Sequence, residues 1–425
     1  MNRRRGLVSF GVAALIALPW ILPSGLVNAS IQMLIAALFA CAYNLLSGRA
    51  GMLSFGHAAY FGVGAFTTVH AMNAFGGAGL LPTPLMPIVG AVGGFTVGAI
   101  VGWFATQRAG AYFAMITLAI AELLYSLAPH IKRLFGGEGG VSTMRMPSLG
   151  LTFGPTTQVY MLVLVWVLAS LLLLYLYMST PLGRLTLGLR ENAHRLRFLG
   201  YNVHNLRVLV FSISAMFSGI AGSLQVINNE AANYVVFGPG ESAAVVLNAY
   251  IGGVNVFLGP ALGAALMTFF GYAVSDLTQS WLLYQGILFV LVMIFMPAGV
   301  AGLFEASGNL RKRFGTVPLV PFFAFALLGT LLLGVGTVFV VELLQRLFSQ
   351  DYRALANAAR LWPPISLFGY QWSPTSSATW LLPAASIVGG AACVLLARRM
   401  LSMLQNQQER KGSEKPLITG ERRAA

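Results

Sequence analysis

The sequence is poor in charged residues. Only 9% of its 425 residues are Asp, Glu, Lys or Arg, whereas 57% are hydrophobic. A soluble domain of this size needs far more polar surface, so the composition predicts an all-α, polytopic helical membrane protein. Cysteine is scarce too. Cys41 and Cys393 both lie inside apolar runs, which argues against a disulfide framework and against a thiolate metal site.

Motifs for catalysis are absent as well. A P-loop needs Gly-Lys followed by Ser or Thr, and none of the four lysines follows a glycine. The sequence has no HExxH or GxSxG motif and no pair of carboxylates on one predicted helix face. We therefore expect neither an enzyme nor a chain that hydrolyses ATP by itself, and the sequence indicates no cofactor or metal site.

The net charge of +14 has a topological explanation, because the arginines flank hydrophobic runs and do not cluster among exposed aromatic residues. Runs of about 20 apolar residues cross a bilayer core of roughly 30 Å. The spans predicted on this basis are residues 7–27, 30–47, 53–73, 86–106, 109–129, 157–178, 207–227, 242–254, 257–275, 282–303, 317–341 and 379–398. With a cytoplasmic amino terminus, alternation places 20 of the 26 Lys and Arg residues on the inner side. Both termini are then cytoplasmic.

The first apolar run has a second interpretation. Arg3–Arg5, the run that follows and Val27-Asn28-Ala29 resemble a secretory signal with its cleavage site. Its length and its two prolines favour a retained span. Cleavage would leave the later spans in the same orientation.

The longest polar segment between two spans covers residues 180–207 and holds five arginines. Apolar residues at helical spacing predict an amphipathic cytoplasmic helix that ends at Gly200. Its apolar stripe consists of Leu185, Leu189, Ala193, Leu196 and Leu199. Such a helix lies on the membrane surface or docks into a partner's groove, and a solvated surface loop is the alternative.

Ionisable residues inside spans are candidates for a transport path. Glu122 is the only acid well inside a predicted span, where a carboxylate costs about 2.5–3.5 kcal/mol. It faces the path, or it steadies packing near the outer end of its span. His57 and His70 face water, or they join two helices by a hydrogen bond.

Two predicted spans are short for a full crossing. Residues 242–254 and 257–275 are separated by Gly252-Gly253 and Gly259-Pro260, which break helices. Broken helices at membrane depth line cavities, because their free backbone groups need partners. A plain turn between two tilted spans is the other possibility.

Five segments carry a family pattern in order. They are residues 44–71 (NLLSGRAGMLSFGHAAYFGVGAFTTVHA), 111–122 (AYFAMITLAIAE), 136–146 (GGEGGVSTMRM), 183–202 (GRLTLGLRENAHRLRFLGYN) and 250–263 (YIGGVNVFLGPALG). Together they resemble the permeases of branched-chain amino acid ABC transporters, specifically the LivM-type subunit. The resemblance extends over about residues 30–303, and the rest of the chain has no counterpart in the family pattern.

The resemblance implies an ABC importer permease core of about ten spans at residues 1–303. We expect a basic cytoplasmic linker at 304–316, a two-span C-terminal extension with a periplasmic segment at 317–404, and a polar, disordered cytoplasmic tail at 405–425. The implied location is the bacterial inner membrane, in contact with lipid and not with nucleic acid. The implied partners are a LivH-type permease subunit in a heterodimer, two cytoplasmic ATP-binding subunits and a periplasmic substrate-binding protein. That protein would dock on the outer loop 130–156 and deliver leucine, isoleucine or valine.

The implied site residues form two groups. The cytoplasmic helix would couple the chain to the ATP-binding subunits, with polar contacts from Arg190 and Glu191 and with Leu189, Leu196 and Leu199 in the partner's pocket. The coupling residues are Arg184, Leu189, Arg190, Glu191, Leu196, Leu199 and Gly200. The candidates for the translocation path are Asn44, Ser54, His57, Thr117, Glu122, Gly252 and Gly253.

Three alternatives stay open. Permeases for urea or short-chain amides share these motifs and change only the cargo. An ion-driven secondary transporter would need paired intramembrane charges and an inverted repeat, of which we see only Glu122. A membrane scaffold without a transport role is the third alternative.

Overall fold

The computed structural model describes residues 2–76, 80–148, 150–275, 278, 280–296, 298–315, 317–359 and 361–413. The chain divides between Leu303 and Phe304 into two compact units. The α-helices of the described residues are α1 (Asn2–Ile21), α2 (Ser24–Asn44), α3 (Ala58–Ala71), α4 (Met86–Ala105), α5 (Ala111–Leu127), α6 (Lys132–Phe135), α7 (Thr156–Ser179), α8 (Pro181–Phe198), α9 (Val203–Asn229), α10 (Pro239–Gly252), α11 (Gly259–Ser275), α12 (Trp281–Phe295), α13 (Gly299–Phe314), α14 (Val320–Phe348), α15 (Gln350–Ala359) and α16 (Ser377–Ser413).

Strands occur only as two short antiparallel pairs in this part of the chain. Strand β1 (Val141–Ser142) pairs with β2 (Ala231–Ala232), and β3 (Ile365–Leu367) pairs with β4 (Tyr370–Trp372). The predicted all-α, polytopic helical architecture is confirmed.

Six helical segments are long and apolar enough to cross a membrane: Ser24–Arg49, Thr83–Ala105, Thr156–Ser179, Val203–Asn229, Val320–Phe348 and Ser377–Leu404. A seventh candidate is the pair Ala111–Leu127 and Lys132–Gly139, which is bent by 92°. Three shorter apolar helices cover Ser9–Ile21, Gly259–Ser275 and Trp281–Ile294. The first unit therefore combines full-length spans with helices too short for a straight crossing.

Two predicted spans differ from the structure because their helices are interrupted. The span expected at 53–73 starts with a non-helical segment, and its α-helix covers only Ala58–Ala71. The span expected at 282–303 divides into α12, which ends at Phe295, and α13, which starts at Gly299. The intervening sequence contains a proline, which has no backbone N–H to donate.

Small residues build the core of the first unit. Helix α4 carries glycines at intervals of four residues, and this stripe faces α9: Gly90, Gly94, Gly98 and Gly102. A methyl group at Gly94 would collide with the carbonyl oxygen of Ala215 in α9. Helix α3 joins the same cluster, since Gly64 lies against Gly219. Close backbone approach of this kind holds helices together in lipid, where apolar burial alone gives little driving force.

In the second unit, α14 and α16 pack antiparallel. Gly329 lies against Val394, and Gly336 lies against Ile387 further toward the amino-terminal end of α16. Helix α16 continues to Ser413, so residues 405–413 are helical and the expectation of disorder there is wrong. This stretch contains no proline and is rich in Gln, Arg and Lys, which favour helix. The remainder of the predicted tail, 414–425, lies outside the described residues.

Candidate functional site: an amphipathic helix joined to two breaks in the membrane helices

Helix α8 covers Pro181–Phe198 and ends before Gly200, as the sequence predicts. The side chain of Thr180 accepts a hydrogen bond from the Gly183 amide at 3.1 Å, as an N-cap does. Gly200 has a φ of +87° after the last turn, which suits glycine at a helix end. One kink was not predicted. Asn192 leaves helical geometry, and its side chain accepts from the Arg195 amide at 3.0 Å, so a second short helix starts there.

The apolar stripe of α8 is mostly used inside the chain. Leu189 and Leu196 are 7% and 6% exposed and belong to the core of the first unit. Leu196 also packs over Gly188, because the kink turns the second half of α8 back. The expectation that Leu189 and Leu196 fill a pocket on a partner is therefore wrong. The exposed apolar residues are Phe198, at 92%, and Leu199, at 66%.

Arg190 is exposed on α8 and contacts its own chain, which the sequence did not reveal. Its guanidinium donates to the carbonyl oxygen of Gly48 at 2.5 Å and to Oδ1 of Asn255 at 3.4 Å. Its side chain also lies against Gly51, whose φ is +68°. We call these contacts the Arg190 bridge. Arg184 and Glu191 are exposed on α8 as well.

Gly48 belongs to the first of the two breaks. Helix α2 ends in a π-helical turn, Leu45–Arg49, and the chain stays non-helical until α3 begins at Ala58. This non-helical segment is held by side chains of other helices. The Phe55 amide donates to Oγ1 of Thr117 at 3.3 Å, and the Ala58 amide donates to Oγ of Ser242 at 3.2 Å. Helices α5 and α10 therefore supply the hydrogen bonds that a continuous helix would have made.

Asn255 belongs to the second break, between α10 and α11. Gly253 ends α10 with a φ of +104°, and α11 starts at Gly259. Gly252 and Gly263 are in backbone contact where the two short helices meet. The predicted breakers thus produce a tight turn, and the Arg190 bridge joins this turn to the end of α2.

His57 lies at the start of α3 and is 0% exposed. Oγ of Ser214 in α9 donates to the carbonyl oxygen of Ala42 at 2.6 Å and lies 2.9 Å from Nε2 of His57. Because that hydroxyl proton is used on Ala42, Nε2 carries the proton and donates to Ser214. The aromatic rings around the imidazole are Phe39, Tyr43, Tyr60 and Phe211. In this arrangement His57 joins the start of α3 to α9.

Several buried polar atoms around the first break have no hydrogen-bond partner among the residues that the structure describes. They are Tyr43 Oη, Asn44 Oδ1, Ser47 Oγ, Ser54 Oγ and His57 Nδ1. Buried polar groups are nearly always paired, and where protein does not pair them ordered water does. The break is therefore a polar region inside an apolar core, and it includes the predicted path candidates Asn44 and Ser54.

Two further path candidates lie on α5. Thr117 is 1% exposed and holds the non-helical segment, as described above. Glu122 follows five residues later and is partly exposed. Among the described residues it has no hydrogen-bond or ion-pair partner. Of the seven path candidates, the contacts thus bring Asn44, Ser54, His57 and Thr117 together at one break and Gly252 and Gly253 at the other.

The loop predicted at 130–156 contains an ion pair that the sequence did not reveal. Arg145 Nε lies 3.2 Å from Oε1 of Glu230, and the same carboxylate accepts from the Arg145 amide at 2.8 Å. Glu230 ends α9 in the left-handed region, at φ 54°. The β1–β2 pairing lies next to this contact and joins residues about 90 positions apart in sequence. The loop is therefore fastened to the end of α9.

Comparison with known proteins identifies the first unit. The family model described as the branched-chain amino acid transport system permease component matches residues 25–297. This chain belongs to that family. The match ends before the second unit, so α14, α15 and α16 are additional to the family pattern. The predicted resemblance to LivM-type permeases is confirmed.

The permease is similar to several characterised permeases. It is 27% identical to the high-affinity branched-chain amino acid transport system permease protein LivM of Salmonella typhimurium, over 70% of this chain and 75% of the relative. Identity with LivM of Escherichia coli is 26% over the same shares. Identity with LivH of Salmonella typhimurium is 25%, over 63% of this chain and 91% of the relative. No solved structure matches the chain. These relatives are transport subunits and not enzymes.

Proposed function

We propose that this permease is the LivM-type membrane subunit of an ATP-driven importer for leucine, isoleucine and valine. The family match and the LivM relatives support the cargo class, and the missing P-loop supports a separate source of ATP hydrolysis. Its partners are a LivH-type permease, two ATP-binding subunits and a periplasmic binding protein. The distribution of basic residues supports an inner-membrane orientation with both termini in the cytoplasm.

The observation that carries the mechanism is the Arg190 bridge. Helix α8 presents Phe198 and Leu199 to a partner, and Arg184 and Glu191 add polar contacts from its exposed face. When the ATP-binding subunits close, they displace α8 together with α7 and α9, to which it is directly connected. The guanidinium of Arg190 transmits this displacement to both breaks, since it is hydrogen-bonded to each.

The translocation path runs along the two breaks, at the boundary with the partner permease. Because the Ala58 amide binds Ser242, α10 begins at the depth where α3 begins, inside the span predicted at 53–73. The first residues of α10, Pro239 and Gly240, are exposed on this chain. The first N–H groups of a helix have no partner within the helix, so at membrane depth they must face protein or water, not lipid. We assign the lining to Asn44, Ser54, Thr117, Glu122, Gly252 and Gly253, and assign His57 to packing.

The test is uptake of labelled leucine by proteoliposomes that contain the permease, its partner permease and the ATP-binding subunits, with the binding protein added. We expect uptake that requires ATP and is reduced by excess isoleucine or valine but not by urea. Reduction by urea or acetamide alone would support the amide permease instead. Uptake driven by an ion gradient without the ATP-binding subunits would support a secondary transporter.

A further inference from the structure

The second unit lies outside the family match, and its connecting segment has a defined location. Helices α14 and α16 are both long enough to span the membrane, and they pack antiparallel. The residues between them, 349–376, therefore emerge at one membrane surface. Phe348 is the last residue of α14. Side chains within one or two turns of Phe348 thus lie at the depth of the lipid headgroups.

This connecting segment is a folded cap. Ile365 and Leu367 of this segment form a small core with Phe339 and Leu343 of α14, and all four residues are at most 5% exposed. Tyr352 in α15 donates its hydroxyl hydrogen bond to the carbonyl oxygen of Pro363 at 2.7 Å, which fastens α15 to the segment that follows it. The cap therefore holds α15 in a fixed position beside the end of α14.

Between α15 and the end of α14 lies a cavity of about 370 Å³, lined by Leu347, Phe348, Arg353, Ala356, Asn357 and Trp362. Its wall is apolar, with one cationic and one amide side chain. The guanidinium carbon of Arg353 lies 5.0 Å from the centre of the Phe348 ring. A guanidinium over a ring face keeps its N–H edges free for an anion. Phe348 and Trp362 are 63% and 55% exposed, so the cavity opens outward.

We propose that this cavity binds one anionic phospholipid of the surrounding bilayer. Arg353 donates to the phosphodiester, and the amide of Asn357 donates to a glycerol or ester oxygen. The first carbons of an acyl chain lie against Leu347 and Phe348, in line with the lipid-facing surface of α14. Trp362 covers the glycerol region, as tryptophan does at membrane interfaces.

The arrangement fits a phospholipid better than a soluble anion. Four of the six lining residues are apolar or aromatic, and a free phosphate ion has no apolar group that could contact them. The cationic side chain and the apolar wall adjoin at headgroup depth, where a phospholipid presents an anion and a hydrocarbon chain in that order. The binding would anchor the cap to the membrane surface, independently of the import function.

The experiment uses the full-length chain, purified in detergent and freed of bound lipid. Native mass spectrometry is recorded after addition of dioleoyl-phosphatidylglycerol or dioleoyl-phosphatidylcholine. We expect one phosphatidylglycerol per chain, bound about tenfold more tightly than phosphatidylcholine. Arg353→Gln should remove this preference. Ala356→Trp, which keeps the cation but fills the cavity, should remove the bound lipid altogether.

Arg399→Gln is the matched control, since it removes one exposed positive charge toward the other end of the hairpin. It should bind phosphatidylglycerol like the unaltered chain. Size-exclusion profiles and thermal unfolding establish that each variant is folded. Equal binding of both lipids, equal loss in Arg399→Gln, or displacement of the lipid by millimolar inorganic phosphate would each overturn the proposal.

Discussion

Replacement of Arg190 by alanine should separate ATP hydrolysis from transport. The variant loses a charged hydrogen bond to the Gly48 carbonyl oxygen and two longer ones to Asn255. A hydrogen bond to a charged group contributes about 1.5–3 kcal/mol, and the solvent-accessible position of Arg190 argues for the lower end. A loss of about 1.4 kcal/mol in the step that moves the breaks slows that step about tenfold. Helix α8 keeps its exposed Phe198 and Leu199, so contact with the ATP-binding subunits should persist.

The assay is the ratio of leucine imported to ATP hydrolysed in proteoliposomes with all partner subunits. We expect this ratio to fall about tenfold in Arg190→Ala while ATP hydrolysis changes less than about twofold. Arg195→Ala removes the same charge from the exposed face of α8 and should leave the ratio unchanged. Asn255→Ala should lower the ratio of leucine imported to ATP hydrolysed by less than Arg190→Ala does. The double variant should have nearly the same ratio as Arg190→Ala alone, because the two residues share one contact. A normal ratio in Arg190→Ala, or an equal fall in both activities, would refute the bridge as the transmitting element.

Three further predictions follow from the packing. Phe198→Asp should prevent co-purification of the ATP-binding subunits with a permease that is still inserted and folded. Leu196→Asp should instead lower the yield of folded permease, because it places a charge in the core. The reverse result would indicate that Leu196, and not Phe198, contacts the ATP-binding subunits. Gly94→Leu should lower the thermal unfolding temperature in detergent, because overpacking costs about 1–3 kcal/mol. Gly286→Leu should leave this temperature unchanged, because the space around Gly286 is open. Equal effects of the two substitutions would contradict the close α4–α9 contact. Arg145→Ala should speed amide hydrogen exchange in residues 136–146, because it removes a partly buried ion pair with Glu230. Unchanged exchange rates in these residues would show that other contacts hold the loop.

Features of the fold that depend on neighbouring residues could be read from the sequence. The spans follow from apolar runs, and the end of α8 follows from Gly200, whose preference acts within one turn. The kink at Asn192 was missed because it depends on Leu196 packing over Gly188 after the chain turns back. A periodicity that fits one straight helix contains no information about such a turn.

The site was predicted less well for the same reason. The motif around Arg190 and Glu191 was found, but the partner of Arg190 was placed in another subunit. Its partners in this chain, Gly48 and Asn255, lie 142 and 65 positions away in sequence. Neither separation produces a local pattern. The four-residue glycine spacing of α4 was visible in the sequence and would have predicted its contact with a second small-residue helix.

The distribution of small residues and of unpaired polar atoms separates a rigid part of the first unit from a part that can rearrange. Where α4 meets α9, backbones touch and an added methyl group has no room, so relative movement would open voids with no compensating contact. At the first break, the buried oxygens of Asn44, Ser47 and Ser54 have no partner in the described part of the chain, and each unpaired group costs about 1–3 kcal/mol unless water reaches it. An arrangement that hydrates these groups recovers that cost, and movement there breaks few helical hydrogen bonds. A displacement of Arg190 that moves Gly48 therefore acts on the first break, which rearranges at a lower free-energy cost than the α4–α9 contact. The α4–α9 pair keeps the surrounding spans in place.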